Sequence, residues 1–155
     1  MISSDTTKKN YGKLSFNKAM TLLPKSFMPL KEPYYLKRYL CAKTPEGNLA
    51  FCSSSKEYPE ERKWRAKPYC KEFAPDIDYW IVALDFRGIL VLSSDMIDSF
   101  CQSNVVELNP SGMKWKLAFM ESDGRIIMTT MELNGPMIDV TDLFIVNRNN
   151  YSRNK

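Results

Sequence analysis

The chain has 155 residues, 44% hydrophobic and 12% aromatic, with a net charge of +4, four cysteines and no histidine. That length and composition fit one domain able to bury its own core and exclude a largely disordered chain. The missing histidine excludes a Ser-His-Asp or Cys-His nucleophile system and any His-ligated zinc site.

Residues 1–10 read as a flexible tail, 11–147 as a single domain and 148–155 as a second tail. Ser15 is placed to cap a short helix running to about Leu23, with Phe16, Met20 and Leu23 on one side and Pro24 as the stop. Tyr34 to Lys43 reads as one strand, followed by a turn over Thr44 to Asn48 and a strand from Leu49 to Ser53. Residues 53–75, with three consecutive serines and three prolines, read as a long polar loop. The centre of the chain is Asp76 to Phe100. Within it Tyr79 to Leu84 is wholly apolar, the composition of a strand covered on both faces. Asp85 to Gly88 supplies a turn, Ile89 to Leu92 the return strand, and Ser93 or Ser94 a cap for a helix carrying Met96, Ile97 and Phe100 on one face. Val105 to Asn109 follows, then a hairpin of Lys114 to Glu121 and Arg125 to Leu133 about the Asp123-Gly124 turn signal. Ile138 to Val146 fits either a last strand or a helical turn. The fold class expected is α+β, mostly antiparallel sheet with two or three short helices.

Charge is laid out unevenly along the chain. Residues 1–71 hold 15 Lys and Arg against 6 acids, and residues 72–155 hold 7 against 12. A basic face and an acidic face follow if the halves separate in space. Arg62 to Lys71 concentrates five cations with Trp64 and Tyr69 and no acid. Cations that neutralise phosphates, with rings for bases to stack on, are the ingredients of a nucleic-acid contact. The candidate set is Lys37, Arg38, Arg62, Lys63, Trp64, Arg65, Lys67, Tyr69 and Lys71. The plainer alternative is a solvated loop whose Trp64 and Tyr69 tuck onto the core, diluted by Glu57, Glu60, Glu61 and Glu72. Asp76 and Asp78 have the spacing of a hard-metal pair, and Asp95 and Asp98 sit one helical turn apart; both pairs read more simply as solvating charges. Cys41, Cys52, Cys70 and Cys101 form no CxxC pair and read as reduced thiols rather than a zinc site. The N-terminus has no apolar segment of signal-peptide type and no run is long enough to span a bilayer, so a soluble, cytoplasmic protein without a membrane partner is expected. No catalytic residue, metal or cofactor is assigned.

Cys41 to Thr44, Gly47 to Phe51, Tyr69, Asp76 to Val82 and Ile89 to Leu92 together resemble the second half of the PD-(D/E)xK nuclease fold, of the intron-associated homing endonuclease type, over about 50 residues. The resemblance implies a strand ending in a catalytic lysine, which Lys43 would match. Cys41 stands where that pattern carries an acid or Gln, and no Pro-Asp strand precedes it, so the carboxylates of a Mg²⁺ site are missing. What it implies is a binding-only relative, of the kind attached to restriction or mobile-element systems. The function expected is a non-catalytic nucleic-acid-binding module, with DNA the leading ligand. The alternatives are a protein-interaction module of inhibitor or immunity type, using the acidic C-terminal half with Met113, Met120, Met128, Met131 and Met137, and a divergent Mg²⁺ nuclease.

Overall fold

The computed structural model describes residues 14–58, 63–85, 87–101, 106–109, 112–130 and 135–148, with the backbone alone at 55–58, 63 and 106–109. Both expected tails therefore lie outside the described residues, apart from Arg148.

Tyr79–Leu84 forms the strand we label β6, and its alternation explains why every residue in it is apolar. Tyr79, Ile81 and Ala83 face a cluster built with the N-terminal helix, while Trp80, Val82 and Leu84 face a second sheet. A strand covered on both sides has no polar face to offer. Its hairpin partner is β7 (Gly88–Ser93), in register from Tyr79–Ser93 to Leu84–Gly88. Gly88 is required there because a Cβ would collide with the Ile145 carbonyl oxygen and the Phe144 ring.

Around this hairpin lies a six-stranded sheet in the order β1-β2-β3-β6-β7-β13. Its other members are β1 (Tyr34–Leu36), β2 (Tyr39–Thr44), β3 (Gly47–Ser53) and β13 (Phe144–Val146). All neighbours are antiparallel except β3 and β6, which run parallel from Leu49–Tyr79 to Ser53–Ala83. One face is covered by α1 (Phe16–Leu22), whose N-cap Ser15 accepts from the Lys18 amide and which buries Ala19 and Met20. The Phe16 and Phe51 rings meet edge to face at 5.9 Å.

The other face packs against a five-stranded antiparallel sheet, β12-β11-β10-β5-β4. These strands are β4 (Ser55–Tyr58), β5 (Lys63–Ala66), β10 (Leu117–Ser122), β11 (Arg125–Thr130) and β12 (Met137–Asp139). Trp64, Ala66, Leu117, Phe119, Ile126 and Met128 point inward to meet Trp80, Val82, Leu84, Leu90 and Leu92 in one cluster. Arg87, on the β6–β7 turn, clamps the sheets together by donating to both carboxylate oxygens of Glu121 on β10, with its guanidinium 5.8 Å from the Trp64 ring. One end is closed by α2 (Ser94–Cys101) and the small hairpin of β8 (Val106–Asn109) and β9 (Gly112–Trp115). The architecture is α+β and mostly antiparallel, as expected.

Four local expectations change. The stretch 53–75 is not one loop: its charged segment hides a period-2 pattern in which Trp64 and Ala66 enter the core from β5. Tyr34 to Lys43 is two strands, because the chain reverses at Lys37-Arg38 without glycine or asparagine, Lys37 taking a left-handed φ of 57°. Lys114 to Glu121 is broken at Lys116, so that β9 and β10 join different sheets. Residues 138–146 carry both alternatives, β12 and β13 separated by a 3-10 turn at Thr141–Leu143. The Asp123-Gly124 turn holds, with φ of 51° and 76°, the double positive φ of a two-residue hairpin loop.

All four cysteines are free and buried. Burial pushes the Cys41, Cys52 and Cys70 thiols up to about 11 and Cys101 to about 12. A disulfide reagent at mildly alkaline pH is therefore expected to modify none of them in the native protein and all four after denaturation; rapid reaction of any native thiol would contradict this packing. The sign of the linkage follows: a folded value above the ordinary 9.0 gives stability fully present below that pH and lost as the pH rises through about 11.

Candidate nucleic-acid interface

The structure splits the expected contact residues among four places. Lys37 and Arg38 form the exposed turn of the β1–β2 hairpin. Neither has an ion-pair or hydrogen-bond partner among the described residues. A lysine in the left-handed region costs about 1–2 kcal/mol relative to glycine, so this turn holds two cations where a smaller residue would fold more easily. The hairpin is pinned to the second sheet from below: Tyr39 donates its hydroxyl to the Lys67 carbonyl at 2.6 Å. Arg65 faces outward from β5, opposite Ala118 of β10. Lys67 and Lys116 flank the last paired residues of the same two strands, Ala66 and Leu117.

Trp64 and Tyr69 are core residues, 0% and 1% exposed, and present no face on which a base could stack. The Tyr69 ring lies in an aromatic cluster with Tyr39 (5.0 Å), Phe73 (4.9 Å) and Trp80 (6.2 Å). The buried Lys114 ammonium sits 5.4 Å from both the Tyr39 and Tyr69 rings. Lys71 belongs to another neighbourhood: its ammonium pairs with Asp95 of α2 at 2.5 Å, and that contact raises its pKa. Its charge is matched by the acidic half of the chain. Lys63 is described only in its backbone, on β5, and Arg62 lies outside the described residues.

The cations that do share an edge were not all in the expected set. Along β1, β2 and the segment leading into them stand Lys31, Lys37, Arg38 and Lys43 against the single acid Glu32, while Lys25 belongs to a 3-10 turn, Lys25–Phe27, that packs through Phe27 against Tyr79. The Leu30 amide donates to the Lys43 carbonyl at 2.8 Å and so holds the segment leading into β1 against β2. Tyr35 on the edge strand β1 is 71% exposed. No carboxylate among the described residues pairs with any of these five cations. Sequence order showed Lys37 and Arg38; the long-range bond at Lys43 gives no local signal.

Beside this edge an open cleft of about 640 Å³ is lined by Lys31, Glu32, Tyr34, Lys43, Asn48 and Asp76. The Asn48 amide group donates to the Asp76 carbonyl at 2.9 Å, while Asp78 accepts the Asn48 backbone amide at 2.9 Å. Asp76 and Asp78 thus have different jobs, one at the cleft and one holding the loop. Burial, then Cys41, Asp76 and Asp78, raises the Tyr34 hydroxyl. Among the described residues no three of Cys, Asp and Glu are grouped to hold a metal ion. No described helix is long and apolar enough to cross a membrane.

Of the methionines considered for a protein contact, Met128 is fully buried, Met113 packs partly against the core, and Met120 is half-buried. Met137 is 66% exposed on the edge strand β12, and Met131 lies outside the described residues. The chain matches no family model, no curated protein and no solved structure.

Proposed function

We propose that this chain is a non-catalytic nucleic-acid-binding domain that lays the β1–β2 edge on phosphates, with DNA the first candidate. The observation that carries this reading is the edge itself: Lys31, Lys37, Arg38 and Lys43 and an exposed Tyr35, with no pairing carboxylate among the described residues. A polyanion gives such an edge the charge balance that the fold leaves open, and an exposed ring adds a sequence-tolerant stacking surface. Two acids of the second half are meanwhile engaged with cations of that half, Glu121 with Arg87 and Asp139 with Arg125.

The test is fluorescence anisotropy with a labelled duplex and a labelled single strand across a salt series. Replacing Lys37 by Gly and Arg38 by Ala is expected to weaken binding of every sequence and to lower the slope of log K against log salt by about 2, roughly one per lost phosphate contact. Because Lys37→Gly relieves a left-handed lysine, the variant is expected to melt no lower than the parent. Unchanged affinity would remove the edge from the interface. No binding even at low salt, together with a protein partner that stays bound through purification, would favour the interaction-module reading at β12. Plasmid nicking lost both with EDTA and in Lys43→Ala would favour the nuclease reading.

A further inference from the structure

We infer that the cleft between the segment leading into β1, β1, β2 and the loop before β6 is a subsite for one unpaired nucleotide whose base carries an amino group on its pairing edge, cytosine before thymine. The inference rests on the nucleic-acid reading above and names what that edge discriminates.

The chemistry of the lining divides cleanly. Lys31 and Lys43 offer ammonium donors, suited to a phosphate or to base acceptors. Glu32 and Asp76 offer only acceptors, and Asn48 offers its acceptor oxygen beside one remaining N–H, the other being committed to the Asp76 carbonyl. None of these charged groups or acceptors has a partner among the described residues. Carboxylates repel phosphates, so a cleft meant only for backbone has no use for Glu32 and Asp76. They call for a ligand group that donates. A base amine donates, and a phosphate on the same nucleotide meets the lysines. Tyr34 stands in the wall as a half-buried ring, held in place by β1–β2 pairing, for the base to lie against.

The choice among bases follows from their edges. Cytosine presents its N4 amino donor beside the N3 and O2 acceptors, a pattern that carboxylate and lysine can share. Thymine presents two carbonyl oxygens about a single N–H, so one acceptor must face a carboxylate. A cleft of about 640 Å³ admits a whole nucleotide, and a base can offer its pairing edge there only when released from its pair.

The measurement is anisotropy of oligo-dC and oligo-dT of about 12 nucleotides each at about 50 mM salt and pH near 7.5, within the usual span of a single-strand site. Oligo-dC is expected to bind about tenfold more tightly than oligo-dT, the scale of one good base-edge contact. Asp76→Asn keeps the turn and weakens a charge-assisted acceptor, so the preference should shrink to twofold or less while the melting temperature stays unchanged. The Lys37→Gly, Arg38→Ala variant should weaken both oligonucleotides and leave their ratio intact. Equal affinity of the native protein for both, with binding still salt-sensitive, overturns the subsite and spares the phosphate edge. A preference that survives both Asp76→Asn and Glu32→Gln overturns it as well. If neither oligonucleotide binds while a duplex does, the subsite alone falls; if the duplex fails as well, the reading beneath it falls too.

Discussion

Trp64→Ala is expected to cost about 3–5 kcal/mol of folding stability, the usual toll of deleting a wholly buried aromatic side chain. Trp64 enters the core from β5 and is fully enclosed between the two sheets, with Arg87 over its ring. For a domain of this size that loss lowers the melting temperature by roughly 10 °C or more, and it is a large share of the roughly 5–15 kcal/mol that holds most domains together. The measurement is a urea or thermal unfolding curve on the parent, Trp64→Ala and Trp64→Phe, with the phenylalanine variant expected to fall between. Any loss of nucleic-acid binding in Trp64→Ala should then follow the unfolded fraction. A variant that melts like the parent yet no longer binds would put this ring on the surface and contradict the packing of the two sheets.

Asp98 carries the second large effect. Its carboxylate accepts from the Trp115 indole at 2.7 Å and from the Lys71 backbone amide at 3.2 and 3.3 Å, tying α2 to β9 and to the segment before the central strand. Removing the acceptor strands two donors in a partly buried junction, each at about 1–3 kcal/mol. Asp98→Ala is expected to lose about 3 kcal/mol on that scale, and Asp98→Asn less, since an amide oxygen still accepts. The neighbouring Asp95, 79% exposed in its pair with Lys71, is the control. Asp95→Ala should leave the unfolding midpoint where it was, because an exposed ion pair is screened and mobile. Equal effects at the two aspartates would show that the junction does not depend on Asp98.

How far the sequence alone reads this molecule depends on whether the signal is local. The β6–β7 hairpin, the Ser15 cap, the Asp123-Gly124 turn and the helix after Ser93 were legible because each is written in consecutive residues. Ser93 does cap, accepting from the Met96 amide at 3.1 Å. The β5 strand was hidden because Arg65 faces outward from it, and four residues of alternation in a basic stretch look like a solvated loop. The β1–β2 reversal was hidden because Lys37-Arg38 lacks the glycine or asparagine that marks such turns. In the candidate interface the same limit applies. Basic residues could be counted along the chain, but whether a ring stacks on a base or fills the core depends on which strand face it occupies. Trp64 took the inward face of β5, and Tyr69, just past that strand, fills the core. The cleft depends on contacts across some 30 positions, such as Asn48 with Asp76 and Asp78, for which neighbouring residues offer no cue.

The parallel pairing of β3 with β6 governs the order in which this chain is able to assemble. A parallel neighbour cannot be reached by a tight turn, and here the connection leaves for the opposite sheet, lays down β4 and β5, and returns. The middle of one layer is therefore sealed by a segment that has first visited the other, so neither layer is finished independently. A nascent chain that has emerged only as far as Pro75 holds β3 with its inner flank uncovered, a template for wrong partners until Tyr79–Leu84 arrives. Such long-range closure slows folding, and it makes the central hairpin the piece whose synthesis commits the whole molecule.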